Sequence, residues 1–178
     1  MKIRKAKTAD LDQIERIYDH IHDFEESGVV TIGWIRGVYP IRETAEEALE
    51  RDDLFVGEDN SRIVATAIIN RIQVPEYYDV KWKYEAADEE VMVLHTLIVD
   101  PFVSGKGYGK EFVAFYEEYA LKNRCHELRI DTNEKNVIAR KMYARLGYKE
   151  IDIIPCVFNG IPDVGLVCLE KHLTEQDL

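Results

Sequence analysis

No stretch of this 178-residue chain approaches the roughly 18 consecutive apolar residues that a membrane-spanning helix needs. The opening Met1-Lys2-Ile3-Arg4-Lys5-Ala6-Lys7 leads into charged positions and not an apolar segment, so no secretory signal is expected. Basic charge is in short supply: 23 lysines and arginines face 34 acids, a net charge of −11. So acidic a chain repels DNA, RNA and anionic lipid, which argues against nucleic acid or a membrane surface as partner. Cysteine is scarce too. Cys125, Cys156 and Cys168 are odd in number and lack metal-ligand spacing, so reduced buried thiols are expected, with no metal site. Internal repeats, low-complexity tracts and linkers are also missing. The expectation is a soluble, cytoplasmic protein whose single domain spans 1–178, long enough to bury about 70% of its unfolded surface.

The apolar pattern sets the order of elements. Lys2–Ala6 reads as a short edge strand. Thr8 then caps a helix in which Leu11, Ile14, Ile17, Tyr18 and Ile21 recur at three and four. Glu25–Pro40 has no period and reads as a structured loop, with Trp34 and Tyr39 either lining a pocket or packing the loop down. Thr44-Ala45-Glu46-Glu47 fits a capping box opening a short helix to about Arg51. Leu54–Gly57 and Arg62–Ile72 read as strands joined by a turn at Glu58-Asp59-Asn60-Ser61. Gln73–Asp88 is a polar, aromatic excursion, and Val91 begins the next strand. After the helix that carries Phe112, Phe115, Tyr116 and Tyr119, Glu127–Asp131 is a strand and Asn136–Leu146 a helix ended by Gly147. Tyr148–Cys156 and Val164–Leu169 close the sheet around Asn159-Gly160-Ile161-Pro162. This order predicts an α/β layered domain with a mixed sheet.

The most informative stretch is Leu94–Lys110, LHTLIVDPFVSGKGYGK. Leu94, Leu97, Ile98 and Val99 form a strand that Asp100-Pro101 stops. Ser104-Gly105-Lys106-Gly107-Tyr108-Gly109 follows and runs into a helix. A strand, a glycine-rich turn and a helix start make an anion cradle, because bare N–H groups converge where the helix dipole favours negative charge. Two common phosphate motifs do not fit. No glycine stands five residues before a Gly-Lys-Ser/Thr, and no G-x-G-x-x-G register starting at Gly105 or Gly107 ends on glycine.

The run does resemble a motif of the GNAT superfamily of N-acetyltransferases: a strand ending V-x-P, then [QR]-x-x-G-x-[GA] at a helix start. Val99-Asp100-Pro101 supplies the strand end, and Gly107 and Gly109 take the glycine positions. Ser104 stands where glutamine or arginine is usual. The second signature, N-x-x-A-x-x-x-Y-x-x-x-G-[FY], is matched by Asn136, Ala139, Tyr143, Gly147 and Tyr148. The resemblance implies a mostly antiparallel central sheet of about seven strands with helices on both faces. It implies acetyl-CoA as acyl donor, with no metal. The amides of Ser104, Gly105, Lys106, Gly107, Tyr108, Gly109 and Lys110 would hold the pyrophosphate, the backbone of Leu97, Ile98 and Val99 would pair with the pantetheine arm, and Asn136 would touch the donor. Five basic residues between Lys135 and Lys149, with no acid among them, suit a polyanion and equally suit a solvated helix face.

Acetyl transfer to an amine poses three problems. An amine of pKa ~10.4 is neutral in only about one molecule in a thousand at pH 7, and must lose a proton. The tetrahedral oxyanion needs donors, which N–H groups at the end of the Leu94–Val99 strand supply. The departing thiolate needs a proton. Tyr143 stands where the family's general acid is found, although periodicity alone would place it in a core stripe with Ala139, Met142 and Leu146. His95 is the titratable side chain within the strand, is expected on one face with Leu97 and Val99, and is the candidate base, with Glu90 acting through water as a second. The acidic residues Asp79, Glu85, Asp88, Glu89, Glu90, Asp23, Glu25 and Glu26 either attract a cationic acceptor or are solvated surface. The reading is an N-acetyltransferase moving acetyl to a primary amine, small molecule or peptide, with a homodimer compatible. The alternative is an acyl-CoA-binding sensor without turnover.

Overall fold

The computed structural model describes residues 1–174; residues 175–178, the end of the expected domain span, lie outside the described residues. In chain order the elements are β1 (Lys2–Lys5), α1 (Leu11–Glu26), α2 (Arg42–Glu50), β2 (Leu54–Asp59), β3 (Arg62–Asn70), β4 (Val91–Val99), α3 (Tyr108–Lys122), β5 (Glu127–Asn133), α4 (Val137–Arg145), β6 (Lys149–Phe158) and β7 (Ile161–His172). The strands form one seven-stranded sheet in the order β1-β2-β3-β4-β5-β7-β6. Every neighbouring pair is antiparallel except β4 and β5. No helix among the described residues is long and apolar enough to cross a membrane.

The order of elements is as the sequence predicts, and the boundaries are where it differs. Both hairpins close with two-residue turns, at Asn60 (φ +48°) and Ser61 (φ +62°) and at Asn159 (φ +50°) and Gly160 (φ +76°). Positive φ at both turn residues matches the strands' right-handed twist. The expected four-residue turns are therefore too long, and β2 continues to Asp59 while β6 and β7 pair out to Phe158 and Ile161. Two helix starts also move. A short 3-10 turn at Thr8–Asp10 precedes α1, and Asp10, not Thr8, supplies the capping oxygen, accepting from the Lys7 N–H at 2.8 Å and from Arg4. In α2, Thr44 lies inside the first turn and its Oγ1 accepts from the Ile41 N–H at 3.1 Å.

Strand alternation divides the core. Met92, Leu94, Leu128 and Ile130 face α3 and α4 with Phe112, Tyr116 and Tyr143. Leu54, Val56, Ile68 and Ile98 face α1 and α2. Val91, Val93, Leu166 and Cys168 are covered by Tyr77 and Val80 from the 73–88 excursion. Tyr116, fully buried, donates its hydroxyl proton to Met92 O at 2.6 Å, with Arg129 O at 3.2 Å. It ties β4 to β5 on their paired stretch, and a buried bond of this kind contributes about 1 kcal/mol.

That tie matters because the two strands then part. The parallel register runs only from Val91–Glu127 to Leu94–Ile130. Beyond it, β4 pairs on one side with β3 and β5 on the other with β7. The wedge left between them faces both layers of helices.

Candidate active site

The wedge opens into a cavity of about 900 Å³ bordered by β4, the end of β5, α4, the 29–41 loop and the β6–β7 turn. Its geometry starts at Thr96, a β-branched residue held at φ +52°, a conformation that sterics normally deny such residues. Ile68 pairs with His95 and Thr66 with Ile98, so Ala67 alone opposes Thr96 and Leu97. This is a β-bulge, with the extra residue on β4. The Tyr39 hydroxyl hydrogen-bonds Thr96 Oγ1 and holds the bulge from the loop side.

The bulge corrects one expectation. Leu94, Leu97 and Val99 all pack toward α3 and α4, so His95 beside Leu94 projects to the opposite face and does not share one with Leu97 and Val99. Its Nε2 lies 3.1 Å from both Asn70 Oδ1 and Ile72 O. Two acceptors on one nitrogen make that nitrogen the N–H donor. Burial pushes the His95 pKa down to about 4, which keeps the ring neutral near pH 7 and makes it a weak proton acceptor.

The glycine turn takes the form the sequence implies. Gly105 (φ +83°) and Gly107 (φ +84°) have left-handed backbones, and a Cβ on either would meet nothing within 4 Å. Glycine is required there by conformation, and the space above is open for a ligand. Among the described residues, no N–H from Gly105 to Lys110 donates to a protein acceptor. A helix start leaves the first few free in any case; Gly105 and Lys106 extend the set into the turn. Gly109 is required by closeness, since a Cβ would stand 3.2 Å from Met142 Sδ and 3.7 Å from Val99 Cγ2. Tyr108 turns away from the cradle and donates to Asp59 Oδ2 at 2.7 Å. His95, Leu97, Ile98, Val99, Ser104, Gly105, Asn136 and Tyr143 border the cavity, while Lys106, Gly107, Tyr108, Gly109 and Lys110 continue the cradle outside it. Of the basic run, Arg140 is paired with Glu150 at 2.7 Å.

Asn136 caps α4, its Oδ1 accepting from the Ala139 N–H at 3.2 Å. Two helical turns on from Asn136, Tyr143 is buried edge-to-face against Tyr148 at 5.8 Å. No protein group among the described residues hydrogen-bonds its hydroxyl, and the side chain borders the cavity; the fully buried hydroxyl without a partner is that of its neighbour Tyr148. Burial first, and then the charge of Asp131, raise its pKa well above that of an ordinary phenol. The hydroxyl is therefore protonated throughout the neutral range.

Asp131 is the residue that sequence reasoning passes over. It follows Ile130, the last β5 residue paired to β4, and borders the cavity from the face opposite Tyr143. Tyr77 donates to its Oδ2 at 2.7 Å, and burial pushes its pKa up to about 6. One signal was available: an acid at the carboxyl end of a strand beside a strand–glycine turn–helix unit, where open α/β sheets hold ligands. The acids that sequence suggested for the acceptor lie elsewhere. Glu25 accepts from the Ile32 and Gly33 N–H groups, Asp23 and Glu26 bind Arg36, Asp88 binds Gln73, and Glu90 caps its own turn. Glu43, Glu47 and Asp131 are the acids that border the cavity. Trp34 and Tyr39, left open between pocket wall and packing, both line it and meet edge-to-face at 6.0 Å.

The profile of the family described as Acetyltransferase (GNAT) family matches residues 14–148. A relative from Bacillus subtilis (strain 168), the uncharacterized N-acetyltransferase YhfO, is 24% identical over 150 residues, covering 84% of this chain and 91% of its own. Among solved structures, a GNAT-family acetyltransferase from Streptococcus agalactiae aligns with a TM-score of 0.79 at 21% identity, over 98% of this chain and 96% of that one. The yncA acetyltransferase of Salmonella typhimurium, solved with acetyl-CoA, aligns with a TM-score of 0.70 at 18% identity, over 98% and 95%.

Proposed function

The chain belongs to the GNAT acetyltransferase family and is an acyltransferase acting with acetyl-CoA; from that premise we propose that it moves the acetyl group directly to a primary amine. In this reading the free amides of Gly105–Lys110 hold the donor's pyrophosphate, with Ser104 at the edge of the cradle and Lys106 and Lys110 beside it. The wedge admits the pantetheine arm, which pairs with the backbone of Leu97, Ile98 and Val99 where β5 no longer does. Asn136 fixes the start of α4 beside the arm. The amine nitrogen bonds to the thioester carbon, the carbon–sulfur bond breaks, and the Tyr143 hydroxyl proton passes to the departing thiolate. The proton lost by the nitrogen restores the phenol. His95 enters as a neutral wall of the cavity and not as the proton acceptor.

The observation that supports this best is that Tyr143, a buried side chain, borders the cavity with a hydroxyl that no protein group among the described residues hydrogen-bonds. A packing tyrosine usually satisfies its hydroxyl or keeps it in water; Tyr148, buried without a hydroxyl partner among the described residues, departs from this but does not border the cavity. Tyr143→Phe is therefore expected to lower kcat by about 100-fold, the usual scale for a positioned acid, with acetyl-CoA affinity changed by less than about threefold. Thiol release from acetyl-CoA and calorimetric titration measure the two. Unchanged turnover would return Tyr143 to a packing role.

A further inference from the structure

We propose that the acceptor is a small primary amine with an apolar, uncharged body, and that Asp131 receives its ammonium group and takes the proton that must leave before attack. The inference rests on the transferase reading above and names the acceptor class for that same site.

Asp131 is placed and left free for this. Only Oδ2 has a protein donor among the described residues, from Tyr77; Oδ1 has none. Tyr77, from the 73–88 excursion, is fully buried, so the carboxylate is fixed from behind and open in front. It stands across the wedge from Tyr143, and each residue borders the same cavity. A proton acceptor and a proton donor thus approach the reacting carbon from opposite faces of the sheet.

The remaining walls select the body of the acceptor. Trp34, Tyr39, Val74, Phe158, Ile161 and Leu166 make this side apolar and aromatic. Arg51 and His95 are the two potential cations that border the cavity among the described residues. Arg51 is paired with Asp53 at 2.9 Å, and burial keeps His95 neutral. An acceptor carboxylate would meet no counter-ion there and would face Asp131, an arrangement that costs several kcal/mol when desolvated. Glu43 and Glu47, exposed at one rim and without ion-pair partners among the described residues, favour a cationic amine during approach.

The ammonium gives one proton to the Asp131 carboxylate, the neutral amine forms the carbon–nitrogen bond, and carbon–sulfur cleavage sends the thiolate's electron pair to the Tyr143 proton. The nitrogen's second proton replaces it on the phenol, and Asp131 releases its proton to solvent between turnovers. Burial pushes Asp131 up to about 6, so its carboxylate is available at neutral pH and disappears below about 6. The groups that share its field are Tyr77, Glu76, Tyr39, Tyr143, Cys156 and Cys168. Burial raises the three tyrosines and the two thiols away from the neutral range, and a carboxylate at Glu76 only lifts Asp131 further.

The test pairs amines with their carboxylated counterparts: 2-phenylethylamine against phenylalanine, and isoamylamine against leucine, with spermidine as a polycation. Thiol release with acetyl-CoA is expected to give kcat/KM at least tenfold higher for each amine than for its amino acid, and higher than for spermidine. Asp131→Asn should lower kcat/KM for 2-phenylethylamine by about 100-fold, leave the acetyl-CoA KM within about threefold, and remove the rise in kcat/KM between pH 5 and 7. Asp131→Glu should restore part of that rise, and circular dichroism confirms that both variants fold. Preference for the amino acids or spermidine, a full rate in Asp131→Asn, or no acetylation of either monoamine would each overturn the inference. Thermal stabilisation by acetyl-CoA alone reports on the donor reading separately, so the two can fail independently.

Discussion

Gly107 shows how much one residue can decide. Its φ of +84° is disfavoured for any residue with a Cβ, yet no atom stands within 4 Å of where that Cβ would be. Valine there meets strain from the backbone and fills the space proposed for the pyrophosphate. Gly107→Val is expected to weaken acetyl-CoA binding more than tenfold by calorimetry and to lower stability by about 1–3 kcal/mol. Tight binding by that variant would place the anion elsewhere. Such residues were legible in the sequence because their requirement is local. Gly107 answers to its own backbone, Asn136 to the helix it caps, and Tyr143 to fixed spacing from Asn136. Asp131 was legible only as an acid at a strand end, because its raised pKa comes from burial and its hold from Tyr77, which is 54 positions away in sequence. His95 was placed on the wrong face because the bulge at Thr96 carries no glycine or proline to announce it.

At the scale of elements, the loop between α1 and α2 lacks any hydrophobic period, and side chains give it its shape. The Glu25 carboxylate accepts from the Ile32 N–H at 2.6 Å and the Gly33 N–H at 2.9 Å. His22 Nε2 donates to Pro40 O at 2.9 Å, and Tyr39 bonds Thr96. The loop thereby lays Trp34 and Tyr39 along the cavity while Glu25 satisfies two of its backbone N–H groups. Gly33 lies so close to Asn133 at the end of β5 that a Cβ would collide with its side chain. Glu25→Ala removes both charge-assisted bonds, each worth about 1.5–3 kcal/mol. The expected result is a several-fold rise in the acceptor KM with the acetyl-CoA KM nearly unchanged, because the loop walls one side of the wedge and the glycine turn the other. Equal rises in both would mean that the loop supports the whole wedge. Sequence alone marked this segment as structured and its aromatics as notable. It could not tell an acid that attracts substrate from one that binds backbone, since that depends on where the chain returns.

Across the whole molecule, the two buried titratable groups at the wedge oppose each other in stability. His95 has an ordinary pKa of 6.5, lowered by burial to about 4 in the fold. Between those values the unfolded chain binds its proton and the folded chain does not, so stability rises with pH. Asp131 has an ordinary pKa of 3.8, raised by burial to about 6. Between those values the folded chain holds the proton, so its contribution is present below about 4 and is lost as pH rises through about 6. Each proton contributes a slope of about 1.4 kcal/mol per pH unit, with opposite signs over nearly the same window. Their sum is close to flat, and the carboxylate at neutral pH is held at the expense of the fold, as catalytic groups often are. Asp131→Asn removes one of the two slopes. Relative to the parent protein, this variant should gain stability steadily from pH 4.5 to 6, by about 2 kcal/mol over that interval. Urea unfolding across the window measures it, and His95→Gln should move the other way. A pH-independent difference between Asp131→Asn and the parent would mean that Asp131 is ionised at pH 4.5 in the folded protein, and would remove its standing as a proton acceptor tuned to the neutral range.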